Sequence, residues 1–108
     1  MNNKIKMWRV SSEEDLQKRV EQVPCPKGSV VVCLQFTNKK TGRSRAGFLP
    51  ASPVTGSYDQ ILDLVECFAG ARLNYDEHAI MEVAEKLIDT DCYDCPEYEL
   101  YLSEFVKV

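Results

Sequence analysis

The sequence predicts an α+β fold: a two-layer sandwich whose mostly antiparallel sheet of about four strands carries its helices on one face. Three observations predict it. Residues 29–37, "SVVVCLQFT", are apolar on both alternating sets, as in a strand inside a sheet. Residues 38–42, "NKKTG", have the chemistry of a hairpin turn. Two later segments carry apolar stripes at helical spacing. Together with the flanking segments they give the order β-α-β-β-α-α-β.

Residues 4–10, "KIKMWRV", alternate loosely and read as a short first strand. "SSEEDLQKRVEQV" follows, residues 11–23. Ser11 and Glu14 fit a capping box. Glu13, Glu14 and Asp15 fall in the first turn, where the helix dipole favours anions. Leu16, Val20 and Val23 form a narrow stripe, and "PCPKG" stops the helix. In the second strand Val30, Val32, Leu34 and Phe36 share one side, and Val31, Cys33 and Gln35 the other. Gly42 can take the left-handed conformation that closes the turn. "RSRAGFL" returns as the third strand, and Pro50 ends it.

"PASPVTG", residues 50–56, is a loop. Ser57 and Gln60 offer a second capping box. Tyr58, Ile61, Leu62, Val65, Phe68 and Ala69 make a broad stripe, with Gly70 at the C-cap. Asn74 and Glu77 open a third helix, whose stripe is Ala79, Ile80, Val83, Ala84, Leu87 and Ile88. The short link between the two implies an antiparallel pair. In the tail, residues 97–108, Tyr98, Leu100, Leu102, Val106 and Val108 alternate. A helix also accommodates Leu100, Tyr101, Glu104, Phe105 and Val108, but aromatic and β-branched residues favour a strand.

A chain of 108 residues with 44% hydrophobic content implies one domain that folds without metal or disulfide. The odd cysteine count, Cys25, Cys33, Cys67, Cys92 and Cys95, implies reduced thiols. No apolar run approaches the length of a membrane span, and the first residues lack the pattern of a secretory leader, so the expected compartment is the cytoplasm. The net charge of −4 conceals two halves. Residues 1–50 hold ten Lys/Arg against four Asp/Glu, a net of +6; residues 51–108 hold three against thirteen, a net of −10. Such asymmetry points to charge-guided partners.

Four constellations carry possible chemistry. Lys39, Lys40, Arg43 and Arg45 gather on the hairpin, where cations can meet phosphates. The same side chains also suit a solvated tip that guards a sheet edge. Cys92 and Cys95 have the C-x-x-C spacing with which two thiolates can meet one zinc, but no second pair completes four ligands. His78 lies beside Glu82 and Glu85, a pattern more common on helix surfaces than in general bases. Cys67 lies on the second helix off its main stripe, which leaves a Cys-His nucleophile open, but no phosphate loop, dinucleotide fingerprint or hydrolase motif accompanies it. No catalytic residue and no cofactor are therefore expected.

The fourth constellation is the acidic run "DTDCYDCPEYE", residues 89–99, with tyrosines among carboxylates. The favoured expectation is a non-enzymatic protein-binding module or inhibitor, of the build common among small phage-borne proteins, whose acidic helical and C-terminal face docks on a basic partner protein. Tyr93, Asp94, Glu97, Tyr98 and Glu99 are the expected contacts. The alternative is a nucleic-acid binder using residues 38–45, and a further alternative is a small zinc-binding domain through Cys92 and Cys95.

Overall fold

A computed structural model describes residues 7–51 and 57–108, Ser57 by its backbone alone. The elements follow in the order β1 (Met7–Val10), α1 (Glu13–Gln22), β2 (Val30–Asn38), β3 (Ser44–Pro50), α2 (Ser57–Ala69), α3 (Glu77–Thr90), β4 (Cys92–Asp94) and β5 (Tyr98–Val106). The strands form one antiparallel sheet in the order β1-β3-β2-β5-β4. The α+β class and the antiparallel sheet agree with expectation, and the tail is a strand. The sheet has five strands because "CYD", at the start of the Cys92–Cys95 run, pairs with β5. The expected start of the first strand at residues 4–6 and most of the loop at 50–56 lie outside the described residues.

β2 organises the fold. Its alternation divides two cores across the sheet. Val32, Leu34 and Phe36 join Leu64, Val65, Val83 and Leu87 of the helical pair, together with Leu100 of β5. Val31 and Cys33 join Leu16, Val20 and Val23 from α1 and its end, with Ala46 and Phe48 of β3. The helices therefore occupy both faces: α2 and α3 lie on one, as expected, and α1 on the other. The physical reason lies in β2, whose two sides are both apolar; each side needs a cover, and the narrow stripe of α1 supplies the second. Cys33 is fully buried, and that burial pushes its thiol up to about 12, so it is an inert packing group.

Local chemistry fixes the helix starts one or two residues from the expected positions. Ser12, not Ser11, is the N-cap of α1, accepting from the Asp15 N–H. Ser11 instead donates its backbone N–H and hydroxyl to Asp15 Oδ2, at 3.0 and 2.7 Å. At α3 the cap is Asp76, whose carboxylate accepts from His78 and Ala79, and Asn74 sits in the left-handed turn before it. Gln60 donates its Nε2 to the Pro50 carbonyl, and the second expected cap, at Ser57, lies outside the described side chains. Gly70 is required for close approach: a Cβ there would collide with the Glu66 carbonyl and lie 2.7 Å from Tyr75 Cε1. The hairpin closes as expected. Gly42 has φ 73°, and the Asn38 side chain accepts from the backbone of Lys40 and Thr41. Among the described residues no helix is long and apolar enough to cross a membrane.

Candidate functional site

Sheet register brings arginines together. β1 and β3 place Arg9 directly across from Arg45, and the period of two turns both toward the helical pair, on the side of Phe36. Like charges set opposite each other on neighbouring strands are destabilising. Arg43 comes from the exit of the hairpin and Arg72 from the turn between α2 and α3. Arg72 is held by aromatics: its guanidinium carbon lies 5.2 Å from the centre of the Phe36 ring and 5.6 Å from that of Tyr98. Phe36 in turn stacks on Tyr98 at 5.1 Å and on Phe68 at 6.2 Å.

These four arginines line one cleft of about 350 Å³, with Met7, Phe68, Asn38 and Ser44 among the other lining groups. Among the described residues no carboxylate lines it. The only ion pair among the described residues is Lys39 with Asp94, so no described carboxylate pairs with a cleft arginine. Cys67 also reaches the cleft wall. The expected basic set is thus divided. Arg43 and Arg45 belong to the cleft. Lys39 is committed to Asp94, whose hydrogen bond and charge raise the lysine's pKa above its ordinary 10.5. Lys40 is exposed at the turn, outside the cleft. Arg9 and Arg72 are the residues that sequence reasoning missed.

One member of the expected acidic contact set is not at the surface. Tyr98 is only 3% exposed, and burial pushes its phenol up to about 12; it packs in the core and cannot meet a partner. Tyr93 is half-buried against the same core. Asp94, Glu97 and Glu99 are exposed, with Asp94 directly across from Glu99 on β4 and β5. Lys39 compensates the first of these carboxylates, and the Cys92 thiol points to the second, 3.8 Å from Glu99 Oε2. Burial, and after it that carboxylate, raise the Cys92 pKa.

Cys92 and Cys95 have different surroundings. Cys92 faces Glu99, whereas Cys95 packs against the core and donates its backbone N–H to Tyr98 at 3.0 Å. Among the described residues no group of three or more His, Cys, Asp or Glu side chains is placed to hold a metal ion. No third ligand for the zinc alternative stands beside the two thiols among the described residues. His78 is exposed on α3 beside exposed Glu82 and Glu85, eleven residues after Cys67, and does not line the arginine cleft. Compared with protein-family models, with curated proteins and with solved structures, the chain gives no match.

Proposed function

We propose that this protein binds nucleic acid without turnover, holding the backbone phosphates of a single strand in the arginine cleft. One observation carries the reading: Arg9 and Arg45 face each other across β1 and β3 in a cleft wall without a carboxylate among the described residues. Keeping like charges opposed costs stability, and an external anion removes that cost. Arginine suits the role because its planar fork engages two phosphate oxygens at once. The concave shape favours one strand over a duplex, whose rigid cylinder rests on a cleft instead of entering it. Phe68 and Met7 give a base or sugar an apolar wall beside the cations.

The footprint is short. Lys39 is paired at the hairpin tip and carboxylates stand on β4 and β5, so the cleft is the main surface attractive to a polyanion. With three or four phosphate contacts, affinity falls about 20- to 50-fold between 50 and 200 mM salt. Fluorescence anisotropy with a labelled single-stranded oligonucleotide tests this. Salt-dependent binding that Arg45→Glu and Arg72→Glu abolish supports the reading. No binding at low salt, or binding indifferent to both substitutions, sinks it.

A further inference from the structure

The second surface lies at the opposite edge of the sheet. β4 pairs only with Glu99, Leu100 and Tyr101 of β5. Among the described residues no strand runs along the same side of β5 from Leu102 to Val106. The outward-facing backbone there follows from the period of two. Leu102 donates outward, to the Asp91 carbonyl at 2.8 Å, so Glu104 and Val106 turn their peptide groups the same way. Beside this edge is a groove of about 450 Å³, with Ile61, Ile88 and Leu102 in its wall and Asp91, Glu104 and Tyr101 around it. Ile88 is 43% exposed and Tyr101 51%, unusual for large apolar groups beside an open strand edge. Asp91 and Glu104 have no cation within ion-pairing distance among the described residues.

We infer that the Leu102–Val106 edge is a docking site for an extended, lysine- or arginine-bearing segment of a partner protein, which adds as a strand in line with β4. The open peptide groups select extended backbone, the groove takes an apolar side chain, and Asp91 and Glu104 select cations. This surface is independent of the arginine cleft and uses none of its residues.

The test uses a labelled peptide of alternating lysine and valine, with amide hydrogen exchange read residue by residue. Binding should slow exchange at Glu104 and Val106 about tenfold or more and leave the cleft amides unchanged. Glu104→Lys, on an exposed side chain that the fold does not need, should weaken the peptide about tenfold. A peptide with proline at its central positions should lose binding, because proline cannot complete a ladder. The inference is overturned if the lysine–valine peptide leaves Glu104 and Val106 unprotected. It is equally overturned if a glutamate–valine peptide binds as well, or if those amides gain protection from protein concentration alone, which would make a second copy the occupant.

Discussion

At one edge of the sheet, β1 and β3 set Arg9 opposite Arg45; at the other, β4 and β5 set Asp94 opposite Glu99. The two arrangements are mirror images in charge and differ in compensation. The acidic pair has an internal counter-ion in Lys39, which reaches across from the hairpin, and a thiol donor in Cys92. The arginine pair has neither among the described residues, and its neighbours in the cleft are two further arginines. A like-charge pair with its own counter-ion is a solved structural problem. One without it keeps its electrostatic cost until something outside the chain supplies the opposite charge. The difference assigns different weights to surfaces that composition alone would rank the other way, since the acidic half carries the larger net charge.

Both edges hang from β2, so the largest effect comes from its core. Leu34 is fully buried between them, and Leu34→Ala should cost about 2–5 kcal/mol, measured by denaturant unfolding. Oligonucleotide affinity and the order of β4 should fall together. Loss of one alone would show that the edges do not share a scaffold.

Charge reversal at the basic edge should separate stability from binding. Arg9→Glu turns an opposed like pair into an opposite-charge pair. It should raise stability by about 0.5 kcal/mol while reducing affinity for the single strand more than about tenfold at low salt. A variant that loses stability instead would show that the arginines are already compensated. Glu97→Lys, outside the cleft, should leave affinity within about twofold.

Removing the internal counter-ion should make the acidic edge behave more like the basic one. After Lys39→Ala, added salt should raise stability by screening Asp94 from Glu99, a response the parent protein lacks at that site. The intact pair has a pH limit of the corresponding sign. The lysine's pKa is raised in the folded state, so its contribution is present below 10.5 and disappears as pH rises through the folded value.

The smallest effect lies away from both edges. Hydrogen bonds from Ser11 lower the pKa of Asp15 below the ordinary 3.8. Its contribution to α1 is present above that value and lost as pH falls through the lower folded value. Helical circular dichroism should show a slight acid-side loss that Asp15→Asn removes, with no change at either edge.

Much of this was legible because β2, the hairpin and the helical pair have long, regular patterns. β4 was not, since three residues of Cys-Tyr-Asp carry no period; they become a strand only because β5 lies alongside. The placement of α1 was half legible. The two apolar sides of β2 were read as the mark of a central strand with helices on one face, and nothing in Leu16, Val20 and Val23 told that α1 would cover the other. Arg43 and Arg45 could be picked out as neighbours in sequence. Arg9 joins them through strand register and Arg72 through a turn, relations that exist only after folding. Tyr98 was misplaced because the acidic run around it drew attention from its own alternation with Leu100 and Leu102, which marks an inward-facing set.

The cleft gathers cations from residue 9, from the hairpin and from residue 72. Once the chain opens, these groups scatter, and the unfolded ensemble offers a polyanion no comparable grip. By mass action, an oligonucleotide present at a hundred times its dissociation constant should withhold about 2.7 kcal/mol from unfolding. Melting temperature then becomes a readout of occupancy, climbing with the logarithm of ligand concentration and flattening as salt is added.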